Sequence, residues 1–398
     1  MKVLQINSFF SAGGPPRIVK GIYDTIVRNG EECLLASARE KPVPGMNVYR
    51  IGTSLTTYSC VIQARLFDND GFAARNATRR LIEEIKHYSP DIIQLHNLHS
   101  YYINVGILFE FLSKYGKPVV WTFHDCWPMT GHCPHFSMAA CDRYLTGCHH
   151  CPQKSEFPAS LLLDQSKRNW NRKKAAFTNV PNLTIVCVSK WLESVVRTSY
   201  MRNYPTRVIY NGLDLKPFHR TESGFRADNG LVDKKVLLGV ALHWGTKKGL
   251  NDYIALSKLL DSSFQIVLVG LSKGEVKDLP ANITPIPPIS DDTRLAEIYS
   301  TADLCLNLSY EETFGLTSIE ALACGTPIIT YNQTAVPEVA HMYDMPVVPA
   351  GDTKALAGAI ENHFRQPDHQ TVFDVSQFEE KTQYQHYYDL YKELVTAR

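Results

Sequence analysis

The sequence predicts an α/β protein made of two doubly wound domains. Apolar runs of strand length alternate with amphipathic segments of helical length along the chain, which is the pattern of parallel βαβ units. The chain has 398 residues. That length is more than one typical domain needs and suits two domains of about 200 residues each. Apolar residues make up 44% and charged residues 20%, so the composition is that of an ordinary globular protein with large cores.

Charge and hydropathy exclude several other classes. The formal net charge of +1 gives no overall attraction to nucleic acid or to a membrane, so any such attraction has to be local. The chain starts directly with a short apolar strand, without the charged segment and cleavage site of a leader peptide. No apolar run approaches the ~20 residues of a membrane-spanning helix. We therefore expect a cytoplasmic protein, and peripheral contact at the inner face of the plasma membrane would need a local basic surface.

The first elements are a strand at residues 3–6, a glycine pair and a helix at residues 17–28. Gly13 and Gly14 can cradle a phosphate, but their spacing is not the dinucleotide fingerprint, and a simple turn is the alternative. The irregular pattern at residues 53–74 predicts a mobile arm or loop that meets an acceptor. A helix is then predicted at residues 76–87.

Two further strands, at residues 90–95 and 118–123, end in polar side chains. Parallel sheets bind ligands at the carboxyl ends of their strands, so these side chains are candidates for the floor of a cleft. A single histidine is more often structural, and we favour that interpretation for the first of the four. The candidates are His96, His99, His124 and Asp125.

A cysteine-rich insertion follows near residues 126–152. Its spacing is Cys133-x7-Cys141-x6-Cys148-x2-Cys151, and four thiolates can close a tetrahedral zinc site of structural type. Free thiols or transient disulfides are the alternatives. A histidine can also replace one cysteine ligand. The nearby histidines are His132, His135, His149 and His150.

Residues 167–174 form a predicted helix with five basic residues and one tryptophan. A solvated basic face is one interpretation. The other is contact with anionic lipid headgroups or with the diphosphate of an acceptor, since a basic helix with an aromatic residue can rest on a membrane surface.

The second domain contains the most informative stretch, residues 309–327. A strand at 302–308 leads into a loop with Gly315, a helix at 316–324 and a strand at 328–330. The free N–H groups at the start of that helix attract an anion such as a diphosphate. Glu312 and Glu320 would repel the anion and are better suited to accept hydrogen bonds from neutral hydroxyls. A nucleotide sugar offers both groups, whereas a helix cap with a solvent-facing glutamate is the alternative.

The string Glu-x-Phe-Gly-Leu-x3-Glu-Ala-x-Ala-x-Gly-x-Pro that starts at Glu312 resembles the signature of the family 4 retaining glycosyltransferases. That family has the GT-B fold, with two facing Rossmann-like domains and a cleft between them. The resemblance implies an acceptor domain at 1–211, a donor-binding domain at 212–377, and a terminal helix at 378–398 that crosses back to the first domain. The boundary lies at a segment similar to the family's V-I-x-N-G-V-D, which includes Asn211.

The resemblance also implies roles for individual residues. Glu312 lies near the donor sugar, and Glu320 binds the ribose. His124 faces the donor sugar, and the Gly13-Gly14 loop helps to close the site. Lys248 clamps the diphosphate and is the residue most closely tied to rate. The remaining donor-binding candidates are His243 at the usual arginine position, Lys247, Phe314, Gly315 and Leu316.

The expected function is transfer of a hexose, with retention, from a UDP- or GDP-linked sugar to a lipid-linked or oligosaccharide acceptor. Enzymes of this type use no protein nucleophile and no catalytic metal, because the leaving diphosphate oxygen assists the incoming hydroxyl. A similar cysteine-rich insertion occurs in bacterial enzymes of surface polysaccharides, so capsule, exopolysaccharide or O-antigen assembly is the expected setting. The alternatives are a GT-B nucleotide-sugar epimerase and a non-catalytic nucleotide-sugar-binding protein.

Overall fold

The computed structural model describes residues 1–10, 14–39, 44–272, 274, 279–366 and 372–397. The chain divides into two compact units. Unit 1 consists of Met1–Tyr210 with Lys381–Arg398, and unit 2 consists of Asn211–Glu380. Each unit has a parallel sheet and a hydrophobic core of its own.

In the described part of unit 1, seven strands form one sheet in the order β3-β2-β1-β4-β5-β6-β7. The strands are β1 (Lys2–Asn7), β2 (Glu32–Ser37), β3 (Val48–Arg50), β4 (Ile92–Leu95), β5 (Val119–Phe123), β6 (Leu183–Cys187) and β7 (Thr206–Val208). The helices between them are α1 (Gly14–Arg28), α2 (Ser54–Phe67), α3 (Arg75–Tyr88), α4 (Val105–Tyr115), α5 (Ser166–Phe177) and α6 (Lys190–Thr198).

In the described part of unit 2, six strands form a sheet in the order β10-β9-β8-β11-β12-β13. The strands are β8 (Lys235–Val240), β9 (Phe264–Val269), β10 (Ile283–Ile286), β11 (Leu304–Asn307), β12 (Ile328–Tyr331) and β13 (Val347–Val348). The helices are α7 (Phe225–Asp228), α8 (Leu250–Ser257), α9 (Asp292–Thr301), α10 (Leu316–Ala323), α11 (Val336–Met342) and α12 (Thr353–Arg365). The last helix, α13 (Glu380–Thr396), returns the chain to unit 1.

The strand order shows where each sheet can bind a ligand. The first strand of each unit has neighbours on both sides, β2 and β4 for β1, and β9 and β11 for β8. At such a reversal the connections leave in opposite directions and open a crevice at the carboxyl edge. The candidate residues of unit 2 follow β8 and β11, which lie beside each other in the sheet.

The predicted α/β fold with two doubly wound domains is confirmed. One local prediction was wrong: residues 54–67, expected to be a loop, form the helix α2. The Thr53 hydroxyl caps it by accepting the Thr56 N–H at 3.3 Å. Gly14 is the first residue of α1, whereas Gly13 lies outside the described residues. No described helix combines the length and apolar character needed to cross a membrane.

Candidate active site

The loop after β8 carries the two lysines predicted to bind a diphosphate. Lys247 and Lys248 lie in a short 3-10 turn that ends at Gly249. Gly249 has a φ of 72°, and a Cβ there would lie 2.4 Å from the carbonyl oxygen of Leu308, so this position requires glycine. The Tyr310 N–H donates to the carbonyl oxygen of Lys247 at 2.9 Å. Close backbone packing therefore positions both lysines next to the loop that follows β11.

Each lysine pairs with one carboxylate of that loop. Lys248 Nζ lies 2.5 Å from Glu312 Oε1, which also accepts the Ser309 hydroxyl at 2.8 Å. Lys247 Nζ lies 3.2 Å from Glu311 Oε2. The side chain of Glu311 is only 1% exposed, against 14% for Glu312. Of the two carboxylates, Glu312 is therefore the more accessible to a ligand.

The helix α10 starts beside this pair. Gly315 precedes it with a φ of 100°, and no side chain caps its first turn. A Cβ at Gly315 would make only ordinary van der Waals contact with Glu312 Oε2, at 3.4 Å, so it is the positive φ that favours glycine here. At the end of β11, Asn307 Nδ2 donates to the Ser318 hydroxyl at 3.2 Å and ties the first turn to the strand. An uncapped helix N-terminus next to lysine is suited to bind an anion.

Glu320 points from α10 towards α9. The Tyr299 hydroxyl donates to Glu320 Oε2 at 2.8 Å, and Tyr299 is fully buried. Burial, together with the charge of Glu320, raises the pKa of Tyr299 well above its ordinary value. The tyrosine therefore remains a donor and orients the carboxylate, which is the group expected to accept ribose hydroxyls.

The other donor-binding candidates differ in how exposed they are. The ring of Phe314 is buried and packs against Phe378, with ring centroids 5.9 Å apart, so only its main chain is placed to meet a ligand. Leu316 is the partly exposed first residue of α10, and His243 is exposed after β8. The structure thus groups Lys248, Glu312 and Gly315 closely in unit 2.

In unit 1, His96 and His124 form a buried chain with Gln5. Gln5 Nε2 donates to the carbonyl oxygen of Val19, so its Oε1 faces His96 Nε2 at 3.1 Å. His96 Nε2 is then the donor, and His96 Nδ1 accepts from His124 Nε2 at 3.1 Å. This assignment leaves Nδ1 of His124 as an acceptor. Burial lowers the pKa of His124 to about 4, so the imidazole is neutral near neutral pH.

His99 and Asp125 form a separate ion pair, with His99 Nε2 2.8 Å from Asp125 Oδ2. Burial opposes protonation of His99, but the charge and hydrogen bond of Asp125 raise its pKa. Asp125 also accepts the Trp127 N–H at 2.8 Å, which orients the loop after β5. These contacts give both residues a structural role at the sheet edge, next to His124.

The structure brings only part of the cysteine cluster together. The thiols of Cys133 and Cys151 interact with each other, and the Gly131 N–H donates to Cys148 Sγ at 3.2 Å. Within the described residues, no group of three or more His, Cys, Asp or Glu is arranged to hold a metal ion. The zinc site expected at Cys133, Cys141, Cys148 and Cys151 is not supported by this arrangement and stays a prediction.

The basic helix α5 has two different faces. Lys173 is buried, and its Nζ donates to the carbonyl oxygens of Trp127 at 2.9 Å and Thr130 at 3.1 Å. Trp170 is also buried and donates to the carbonyl oxygen of Tyr144 at 3.1 Å. Trp170 therefore does not lie on an exposed surface of the helix, because its indole packs against the cysteine-rich segment, and the membrane interpretation of this helix stays a prediction.

Sequence reasoning missed the residues that hold the two glutamates. Tyr299 donates to Glu320, and Ser309 donates to Glu312. Beside them, Glu311 pairs with Lys247. Ser309 and Glu311 lie within the motif stretch, and the lysine pair opposite Glu311-Glu312 was a signal that could have identified Glu311. Tyr299 comes from a helix whose pattern indicates only a buried aromatic residue.

Two doubly wound units in one chain are the architecture of the GT-B class of protein. Residues 12–217, more than half of the chain, match the family model "Glycosyltransferase Family 4". Residues 223–376 match "Glycosyl transferases group 1". The chain therefore belongs to glycosyltransferase family 4.

Several known proteins are similar to this chain. A colanic acid biosynthesis glycosyl transferase, WcaC of Escherichia coli (strain K12), is 24% identical over 361 residues and 85% of each chain. A D-inositol 3-phosphate glycosyltransferase of Mycobacteroides abscessus is 40% identical over 169 residues, 38% of each chain.

Solved structures of similar fold include sucrose-phosphate synthase from Thermosynechococcus elongatus, with a TM-score of 0.69, 19% identity and full coverage of both chains. Anabaena Alr3699/HepE in complex with UDP has a TM-score of 0.68 and 15% identity, covering 99% of this chain and 100% of its own. At 19% and 15% identity, the similarity to these two structures shows the fold alone.

Proposed function

We propose that this glycosyltransferase transfers a hexose, with retention, from a UDP-linked sugar to a lipid-linked or oligosaccharide acceptor. The setting is assembly of a capsule, exopolysaccharide or O-antigen at the cytoplasmic face of the plasma membrane. Two findings support the choice of donor and pathway: the complexes of Alr3699/HepE with UDP and UDP-glucose, and the polysaccharide pathway named for WcaC. A GDP-linked sugar is the competing donor.

The observation that carries the proposal is the Lys248–Glu312 pair beside the uncapped start of α10. A diphosphate bound there receives charge-assisted hydrogen bonds from Lys248 and from the N–H groups of α10. Lys248 then exchanges a carboxylate for a phosphate, and Glu312 becomes an acceptor for a sugar hydroxyl. Positive charge at this position stabilises the leaving diphosphate as the glycosidic bond breaks.

Two further residues position the donor in this proposal. Glu320, oriented by Tyr299, accepts hydrogen bonds from the ribose hydroxyls. His124 is proposed, from the family resemblance, to meet the hexose with a neutral imidazole. A neutral imidazole can accept a hydroxyl without placing a second charge near the diphosphate. Gly13 and Gly14 keep their proposed part in closing the donor site.

Nucleotide release from a panel of UDP- and GDP-hexoses, with a polyprenyl diphosphate oligosaccharide as acceptor, tests the proposal. We expect nucleotide release with a UDP-hexose. We also expect NMR to show that the anomeric configuration of the new glycosidic linkage is the same as that of the donor sugar. Glu320→Ala should lower kcat/KM by about 100-fold, chiefly through a higher KM for the donor, because the hydrogen bonds from the ribose hydroxyls to a carboxylate are lost. Glu361→Ala on the surface of α12 is the matched control. If no donor releases nucleotide, the protein is a binder without transfer activity.

A structural zinc ion is a separate proposal for the insertion near residues 126–152. The C-x2-C spacing and the Cys133–Cys151 contact support it, and the ion would have no part in transfer. Elemental analysis of untagged protein should find one zinc per chain, and loss of this metal after Cys148→Ser with Cys151→Ser. Absence of stoichiometric metal in the wild-type protein would contradict the proposal.

A further inference from the structure

Unit 1 contains an open cavity that the donor site does not use. Its volume is about 1030 Å³, and residues of α2, α3, α5 and the start of α4 line it. Four arginines face this space from α3 and α5. They are Arg75, Arg79, Arg168 and Arg172.

The arginines of the cavity have no acidic partners among the described residues. Among the described residues that line the cavity, Glu110 is the acidic one, and it pairs with Lys114 at 3.2 Å rather than with an arginine. Arg172 lies 3.5 Å from the Phe72 ring centroid and donates to Asn69 Oδ1 at 3.3 Å. Burial, with the like charges of Arg168 and Arg75, lowers the pKa of Arg172 to about 10. Clustered guanidiniums without counter-charges attract an anion, and their planar geometry suits phosphate oxygens.

An exposed apolar surface adjoins the cavity. On α2, Leu55, Tyr58 and Ile62 occupy one face at helical spacing, and each is more than half exposed. The leucines at 161–163 are exposed as well, and the Leu161 N–H donates to the carbonyl oxygen of Arg65 at 2.7 Å. This bond places the leucine segment against the end of α2. Leu55 and Leu163 line the cavity itself, so apolar surface reaches the edge of the positively charged space.

We propose that this cavity binds the phosphate headgroup of a polyprenyl diphosphate acceptor, and that the apolar face of α2 with the leucine segment receives the start of its chain. A compact anion attached to a long apolar chain matches a concave arginine cluster with an exposed apolar edge. An apolar helix face beside basic residues is also how proteins lie at a membrane interface. The inference rests on the proposed transfer to a lipid-linked acceptor and assigns that acceptor a place in unit 1.

Vesicle flotation tests the inference in the 398-residue chain. Three vesicles are compared: phosphatidylcholine alone, phosphatidylcholine with phosphatidylglycerol, and phosphatidylcholine with a polyprenyl diphosphate at equal surface charge. We expect the third to retain the protein at least about tenfold better than the second, and inorganic pyrophosphate to compete. The double variant Arg75→Ala with Arg168→Ala should lose this preference. Leu161→Ser with Leu162→Ser should lower retention on both anionic vesicles.

Matched controls separate this inference from the proposed function. Arg207→Ala removes an exposed arginine of unit 1 that pairs with Glu393, and should float like the wild type. UDP affinity, measured by calorimetry on the same samples, should be unchanged in both double variants, since Lys248 and Glu320, which are proposed to bind the diphosphate and ribose, lie in unit 2. Equal retention on both anionic vesicles, or full retention by the arginine variant, would overturn the inference. Absence of UDP binding in the wild type would instead refute the proposed function.

Discussion

At the scale of single residues, the two lysines after β8 are held differently. Lys247 neutralises Glu311, a carboxylate that is almost fully buried. Removing one partner of a buried ion pair leaves a charge in a poorly solvated place and is strongly destabilising. Lys248 pairs with the more accessible Glu312, which keeps a second donor in Ser309. Lys248 can therefore leave its carboxylate for a diphosphate at low cost, whereas Lys247 cannot.

This difference predicts that the two lysine-to-alanine substitutions affect different properties, one the rate and the other the stability. Lys248→Ala should lower kcat by roughly 100-fold with little change in stability, because a cation at the leaving diphosphate is lost. Lys247→Ala should lower the free energy of unfolding by roughly 2 kcal/mol, because Glu311 loses its cation, and less than for a fully buried pair because Lys247 is 42% exposed. Steady-state UDP release and urea unfolding of both variants check the assignment. A stable Lys247→Ala protein with a strongly reduced kcat would show that the roles are reversed.

His124 predicts a pH dependence of stability. Its pKa is about 4 in the folded protein, against an ordinary value of 6.5. As pH falls from about 6.5 to about 4, His124 binds a proton in the unfolded chain but stays neutral in the folded protein. The contribution of His124 to stability is therefore present above this pH window and is lost within it. The shift corresponds to roughly 3 kcal/mol.

Urea unfolding of wild-type and His124→Asn proteins, at about pH 7 and about pH 4.5, measures this contribution. The variant should lose less stability on acidification than the wild type. His87→Asn, an exposed histidine on α3, is the control and should behave like the wild type. Identical losses in all three proteins would show that His124 does not titrate as its burial indicates.

The site was only partly predictable at this scale. Glu312, Gly315 and Glu320 lie within nine residues of one another in an ordered string, so one sequence was enough to select them. Tyr299 and Lys248 reach the same carboxylates from other elements. Which side chain meets which carboxylate depends on strand order and helix rotation, and a single sequence carries no direct signal of either.

At the scale of elements, α2 shows why a helix can be missed. Its apolar residues Leu55, Tyr58 and Ile62 are exposed, and only Cys60 and Ala64 are buried. The usual sequence signal is a large apolar stripe facing the core, and this helix lacks one. By contrast, α12 has a buried stripe of Leu356, Ala357 and Ile360.

The inner face of α5 predicts a local effect. Lys173 Nζ binds the carbonyl oxygens of Trp127 and Thr130 and lies 3.4 Å from the Trp127 ring centroid. Lys173→Met keeps the bulk but leaves both carbonyls without this donor, which should cost roughly 2 kcal/mol. We expect faster proteolysis between residues 131 and 165. Lys174→Met, one position along on the exposed side, should be cleaved at the wild-type rate.

At the scale of the whole molecule, the chain completes unit 1 only at its end. The helix α13 supplies Tyr384, Tyr387, Leu390 and Tyr391 to the core that β1 and α1 also build. The Tyr391 hydroxyl donates to Gln94 Oε1 at 2.7 Å, on β4. The alternation of strands and helices was sufficient to predict two doubly wound domains. The long range of these contacts explains why their partners could not be predicted.

Because α13 packs in the core of unit 1, we expect a substitution on its buried face to lower the stability of unit 1 without changing the binding of UDP by unit 2. Tyr387 is fully buried in the core of unit 1, and Tyr387→Ala should destabilise that unit by about 3–5 kcal/mol through the cavity it leaves. The donor residues Lys248, Glu312 and Glu320 all belong to unit 2. UDP affinity measured by calorimetry should therefore stay within about twofold of the wild type, because the core of unit 2 is untouched.

Tyr388→Ala is the control for this prediction. Tyr388 lies on the same helix, α13, but it is only partly buried, and its hydroxyl donates to Glu31, which precedes β2. Hydrogen exchange should show faster exchange in β1 and α1 for Tyr387→Ala and little change for Tyr388→Ala, with α8 and α10 protected in both. Loss of UDP binding in Tyr387→Ala, while α10 remains protected, would mean that unit 1 supplies a large share of the affinity for UDP. The donor residues of unit 2 would then be insufficient by themselves, and the role proposed for His124 would be the first to test.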